Sequence, residues 1–270
     1  MKKIIMAAAV LYSVGAHAQS ASHGGVQLQK GQVINSSTTA ETDIDISMGT
    51  MKNNIGAKAK MIVIGENPSS YTLTLQTVSM KMSMDGMGQN MSFDSDKPED
   101  MNGEVGKTFS GKFTKLDTFQ VSKKDGKTTL LSQPAEEQEN PMMMGMGNQQ
   151  NNGFSGAFLV LPSTKIGFSW MDSATLKTTK TKTTYTLQSI DNGVATVKQS
   201  STMDGTNEFE TQGMTMNMTI NMKTEGIIKV NAQSGTVISN NSNIDMTGSM
   251  DAMGQQIPIT SKIVSTSTYQ

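Results

Sequence analysis

The chain of 270 residues contains no cysteine. That absence removes a disulfide framework, a thiol nucleophile, a thiolate metal site and a thiol acceptor for lipid. Histidine is scarce as well: there are 2, His17 within the N-terminal leader and His23 in the small, polar arm that follows it. The body of the chain therefore carries no imidazole, which argues against a Ser-His-Asp triad, a histidine general base and a histidine zinc site. Aromatics are only 5% of the residues, and the net charge is -1. A near-neutral chain offers no long-range field to nucleic acid or an anionic membrane. The lysines are scattered among threonines without interleaved aromatics, a second argument against nucleic acid. No glycine-rich loop joins a strand to a helix, so nothing is shaped to cradle phosphate. Asp94-Ser95-Asp96-Lys97-Pro98-Glu99-Asp100 departs from a calcium loop at Pro98 and lacks the glycine that should follow. Carboxylate pairs remain, Asp43 with Asp45, Asp94 with Asp96 and Glu99 with Asp100, but each has an ordinary solvated explanation. No catalytic residue and no cofactor is assigned, and the chain reads as non-enzymatic.

Lys2 and Lys3, the apolar run from Ile4 to Gly15, and Ala16-His17-Ala18 follow the basic, apolar, small-x-small order of a secretory signal peptide over residues 1–18. No later run approaches the ~20 apolar residues of a membrane helix. The expectation is an exported protein, periplasmic or extracellular, with no transmembrane anchor.

What the chain does have is methionine, 24 residues of it. Met80, Met82 and Met84 fall on alternate positions, and beyond the tip Asp85-Gly86-Met87-Gly88-Gln89 the alternation resumes with Met91 and Phe93. Such spacing predicts a β-hairpin with one apolar and one polar face. A near copy closes the chain: Ile244, Met246 and Met250 correspond to Val78, Met80 and Met84, and Ile257 and Ile259 to Met91 and Phe93. Gly248 breaks the match opposite Met82. A second methionine stripe runs through Met214, Met216, Met218, Ile220 and Met222.

Between these landmarks the chain reads as strands and turns. Gln32 to Met48 and Lys58 to Ile64 are expected as antiparallel strands, and Glu66-Asn67-Pro68-Ser69-Ser70 as a tight turn. Tyr71, Leu73 and Leu75 alternate on odd positions but Val78 onward on even ones, which predicts a bulge near Gln76 and Thr77. Asp94 to Gly106 is expected as a loop or single helical turn, and Phe109 to Phe113 and Phe119 to Val121 as strands. Lys123-Lys124-Asp125-Gly126 and Asp191-Asn192-Gly193 are expected hairpin tips. Strands are also expected over Phe158 to Leu161, Ile166 to Trp170 and, unbroken, Ala174 to Ile190. No stretch beyond the leader shows a sustained helical period. The fold class is all-β and antiparallel, about a dozen strands in two similar halves forming a curved sheet, half-barrel or sandwich. The expected organisation is a signal peptide over 1–18, an N-terminal β half over 19–131, a flexible Met/Asn/Gln-rich linker over 132–157 and a C-terminal β half over 158–270.

Leu161-Pro162 with Gly167-Phe168-Ser169-Trp170, then Tyr185 to Asp191, then Gly226-Ile227-Ile228-Lys229-Val230 leading to Ser234-Gly235-Thr236-Val237, together with Lys30-Gly31-Gln32, resemble an uncharacterised family of exported, β-rich bacterial proteins, a domain of unknown function. The resemblance implies the fold over most of the chain and brings no activity with it.

Thioether chains are long, pliable and apolar, the surface chemistry of tolerant binders. Met80, Met82, Met84, Met214, Met216, Met218 and Met222 are thus the expected lining of a face for an apolar small molecule or an envelope protein. Because thioethers are also soft and do not titrate, the stripes or the linker cluster Met142, Met143, Met144 and Met146 form an alternative Cu(I) site in a periplasmic protein. A structural or interaction module without ligand is the third reading.

Overall fold

The computed structural model describes residues 24–47, 49–86, 88–114, 116–132, 156–176, 178–211, 214–252 and 255–270. The leader and the Met142–Met146 cluster lie outside these residues. Among the described residues twelve strands form one antiparallel sheet. They are β1 (Val33–Ile46), β2 (Gly49–Glu66), β3 (Ser70–Gly86), β4 (Gln89–Asp94), β5 (Asp117–Ser122), β6 (Thr128–Ser132), β7 (Ser169–Leu176), β8 (Thr179–Asp191), β9 (Val194–Thr211), β10 (Met214–Asn231), β11 (Val237–Ala252) and β12 (Gln255–Tyr269). Two short helices, α1 (Pro98–Asn102) and α2 (Glu104–Thr114), follow β4.

The strand order is β6-β5-β3-β2-β1-β12-β11-β10-β9-β8-β7, with β4 added beside β3. The second half is a meander of hairpins, whereas in the first β3 pairs with β5 through residues 70–75 and with β4 through residues 81–86; the halves are joined by the first strand pairing with the last, from Ser36 opposite Tyr269 to Ile46 opposite Ile259. The free rims, β6 and β7, thus belong to the middle of the sequence. Phe119 and Val121 on β5 belong to the same packed cluster as Leu187 on β8 and Val197 on β9. A cluster that draws on both ends of the strand order, with Val26, Leu28 and Phe158 among its members, requires the sheet to curl with this face inside. Across the gap between rims, Lys127 Nζ lies 3.0 Å from Asp172 Oδ1.

Local chemistry explains the turns. Asn67 Oδ1 accepts hydrogen bonds from the backbone N–H groups of Ser69 and Ser70 at 2.9 and 2.8 Å, so the expected turn forms as an Asx turn. Asn192 and Gly193 take φ of 51° and 79°, the left-handed pair that a twisted two-residue hairpin needs. The phase shift in β3 is a bulge. Thr77 pairs with Ala59 and Ser79 with Lys58, which leaves Val78 as the extra residue, 56% exposed and outside the apolar stripe it was expected to begin.

One end of the curled sheet is plugged. Val26 and Leu28 are buried together with Phe158 and Leu161. The Val26 N–H donates to Lys123 O at 2.7 Å and that of Gln27 to Ser234 O at 3.0 Å, so this arm is tied to both halves. Phe158 to Leu161 is therefore not the strand its apolar run suggested; it makes one bridge, Phe158 with Thr236, and otherwise fills the plug.

Three further expectations change. Phe109 to Phe113 lies in α2, where Val105, Phe109 and Phe113 recur every fourth residue and, with Met101 of α1 four before Val105, pack on the sheet. The Thr/Lys-rich stretch from Ala174 is two strands, β7 and β8, folded back so that Leu176 pairs with Thr179. It carries none of the Gly, Asn or Pro that usually mark a tip. β2 runs from Gly49 to Glu66, so the strand expected over Lys58 to Ile64 is much longer.

Candidate functional site

Residues directly opposite one another in antiparallel strands share a face, so the register fixes which side chains lie together. Met84, Asn53, Thr42, Ile263, Ile244, Thr224, Ser201 and Thr183 form one inner row from β3 to β8. The next inner row runs Met51, Ile44, Ser261, Met246, Met222, Met203. Beyond it lie Ile46, Ile259, Gly248 and Ile220, and then Ile257, Met250 and Met218. Methionines of both halves therefore line the same side of one sheet, the inner side.

The two halves use them differently. Met80 and Met82 are 2% and 7% exposed. They pack with Phe93 and Phe109 under α2, whose partly buried Val105 and Phe113 complete the cap. The Phe93 and Phe109 rings are 5.5 Å apart. These methionines fill a secondary core, where a pliable side chain suits an irregular gap. Met84 stands at its margin, partly buried.

In the other half α1 and α2 are elsewhere, packed on β4 and β3. Met222 is buried at 8% exposure, whereas Met203, Met246, Met218 and Met250 are partly exposed, as are Ile220, Ile257 and Ile259. Three thioether side chains, Met203, Met222 and Met246, stand side by side on β9, β10 and β11. Reading single strands left out Met203 and kept Met246 and Met250 in the closing hairpin, apart from the β10 stripe that cross-strand register sets beside them. Met214 and Met216 stand opposite Thr211 and Phe209 at the start of β10.

Polar groups interrupt this face at its floor. Ser261 is 5% exposed and Thr42 7%, and the Ser261 hydroxyl has no hydrogen-bond partner. An orphaned buried hydroxyl costs about 1–3 kcal/mol. Two hollows lie away from the methionines. One of about 530 Å³ beside the plug is lined by Gln27, Leu28, Gln29, Gln32, Asn231, Gln233 and Ser234. A smaller one of about 300 Å³ lies around Gly226, lined mainly by outer-face groups such as Lys198, Glu225 and Asn241. At its edge the Ser200 hydroxyl, donating at 2.6 Å, and then Lys198 hold the Glu225 carboxyl below the usual carboxylate range.

The outer face is polar and ordered by charge. Asp85, Lys52, Asp43, Lys262, Asp245 and Lys223 are opposed in succession on β3, β2, β1, β12, β11 and β10, so the sign alternates at every strand. All six are exposed. Such a face suits water and not hydrocarbon. Among the described residues no helix is long and apolar enough to cross a membrane, and no group of three or more His, Asp or Glu is placed to hold a metal ion.

The chain was compared with known proteins. No curated protein matches it. Its fold is similar to that of lipovitellin, from a structure titled for lipid–protein interactions, with a TM-score of 0.52 and 12% identity over 88% of this chain and 25% of that one. The chain thus spans about a quarter of lipovitellin, and at this identity the likeness is one of fold. An outer membrane channel of Pseudomonas putida F1 aligns over 91% of this chain and 97% of its own at 8% identity, but with a TM-score of 0.25 it carries no argument. The family match indicates no catalytic family. It begins after Lys30-Gly31-Gln32, which therefore takes no part in it, and covers the other motifs of the resemblance. The family model for DUF6263, a family of unknown function, matches residues 68–237, from the turn before β3 to the start of β11, and the chain belongs to that family.

Proposed function

We propose that this protein is an exported, non-enzymatic binder of an apolar ligand, held on the inner face of β9 to β12. The observation that carries the reading is the set of partly exposed methionines and isoleucines on that face, where Met203, Met218, Met246 and Met250 stand beside Ile220, Ile257 and Ile259. Apolar groups gathered on a concave face with an otherwise polar exterior mark a binding surface. The lipovitellin-like curl of the sheet is compatible with it. Met80 and Met82 are removed from the lining by their burial under α2, and the site moves to the C-terminal half. In a titration with a fluorescent long-chain lipid probe, the wild-type chain binds, and the triple variant Met203→Ser, Met218→Ser, Met246→Ser, folded by circular dichroism, loses at least tenfold in affinity. Equal affinity in the two proteins, or no binding by the wild type, overturns the reading.

A second reading rests on the adjacent Met203, Met222 and Met246. Neighbouring strands are roughly 4.8 Å apart, and an inward curl brings three thioethers toward one soft ion such as Cu(I). Exchange of all three for Leu keeps the apolar volume and removes the sulfurs. Anaerobic Cu(I) titration against a chelator should then show weakened binding, with Met142, Met143, Met144 and Met146→Leu as the comparison; unchanged Cu(I) affinity in the first variant dismisses the strand site.

A further inference from the structure

We infer that the ligand of the inner face is a neutral amphiphile, a long apolar chain bearing one hydrogen-bonding group, and that Ser261 receives that group. The inference rests on the apolar-binder reading and adds the class of molecule.

β12 is the middle strand of the path from β6 to β7, so its inward side chains form the floor of the curl. Along that strand Ile257, Ile259 and Ile263 point inward with Ser261 among them. Directly across the sheet Ser261 faces Ile44 on β1 and Met246 on β11. Neither of these directly opposed side chains offers the Ser261 hydroxyl a hydrogen-bonding group. Its Oγ is buried and without a partner, whereas other buried or part-buried hydroxyls on this face find one: Thr183 with Ser201 at 2.9 Å, and Thr38 with Ser267 at 2.9 Å.

A purely hydrocarbon ligand would leave Ser261 as it is. A ligand with one donor or acceptor group satisfies it while its chain lies along Met246, Met222 and Met203. Met246, the immediate flank of Ser261, has three rotatable torsions and can move aside to admit the group. The charge of the group also follows. No lysine stands on the inner face in the rows around Ser261, and the nearest cation on its strand, Lys262, points outward. A carboxylate seated here would be desolvated without a counter-charge. The class is therefore a long-chain alcohol, an ester or an acylglycerol.

The experiment measures three ligands of equal chain length, an alcohol, its methyl ether and the matching carboxylate, together with a head-free pyrenyl alkane. Each is titrated into the wild type and Ser261→Ala in the full chain. The expected result is alcohol binding tighter than carboxylate in the wild type, and a loss of about five- to tenfold for the alcohol in Ser261→Ala with the pyrenyl alkane unchanged. One net hydrogen bond corresponds to a factor of this size. An equal loss for alcohol and pyrenyl alkane would make Ser261 a packing residue, and no loss for either, or a wild-type preference for the carboxylate, overturns the inference; both leave the apolar-binder reading standing. Absence of binding by every ligand to the wild type removes both.

Discussion

A hydroxyl without a partner is a local debit in the folded state, and Ser261 carries one. Ser261→Ala should therefore raise the urea midpoint, with a gain on the order of 1 kcal/mol in the free protein; a fall in stability would mean that the hydroxyl is satisfied after all. Tyr269 offers a titratable counterpart. Burial pushes its phenol up from the ordinary value of 10.0, with the Ser267 hydroxyl acting the other way. The folded state thus holds the proton more firmly than the unfolded one. The stability this contributes is complete below about pH 10 and is lost as pH rises through the raised folded value. The unfolding midpoint should fall as pH rises above about 10, and Tyr269→Phe should make that fall shallower. At this scale the sequence was informative about which residue types lie inward and silent about which are covered. Met80 and Met246 hold equivalent places in the two similar hairpins, yet Met80 is capped by Phe109 and Met246 is partly exposed. The difference comes from α2, an element with no counterpart near Met246.

That helix was hidden because its signal is short. Val105, Phe109 and Phe113 repeat at four residues over barely three turns, and two of the three are phenylalanines, which favour strands as readily. Phe109→Ala should cost about 3–5 kcal/mol, since Phe109 is 2% exposed and rests on Phe93; a loss below about 1 kcal/mol in urea unfolding would show the cap to be loosely seated. Gly248 is the other case where an element explains an irregularity. The place corresponding to Met82 is a glycine because a Cβ there would run into the backbone carbonyl of Thr219 on β10. Among charges, Asp43 and Asp45 suggested a carboxylate pair, but the partners that matter stand across the sheet. Asp43 lies between Lys52 and Lys262, and Lys262 between Asp43 and Asp245. Lys262→Glu would set three carboxylates side by side on β1, β12 and β11, and like charges directly opposed are unfavourable. The variant should unfold at lower urea in dilute buffer and recover part of the difference at about 1 M salt, where exposed charges are screened. Equal midpoints at both salt concentrations would show that the alternation has no energetic role. Register alone reveals this ladder, which is why single-strand patterns concealed it.

For the molecule as a whole, the expectation of about a dozen antiparallel strands is met by twelve among the described residues, and all of them share one continuous sheet. Thr38 and Ser267, 229 residues apart, are hydrogen-bonded where β1 meets β12. No local pattern announces which strand will pair with the first; closure follows from burying two otherwise free edges. Contacts this distant make folding slow and unfolding shared. The single tryptophan, Trp170, stacks on Tyr185 in the second half at 5.4 Å. Its fluorescence should report the damage done by Phe109→Ala in the first half, shifting to the same urea midpoint as far-UV circular dichroism. Two separate transitions would mean that the halves unfold independently.

Lys127 and Asp172 meet where the two rims come together, and both side chains are at least half exposed. A clasp of this kind is weak and fades in salt. Unlike a barrel sealed by backbone hydrogen bonds all the way round, this sheet has two rims that do not pair with each other among the described residues, and they are held by this clasp, by the shared packed cluster and by the arm at Val26 and Gln27. Parting the rims would disturb that packing yet break no strand pairing.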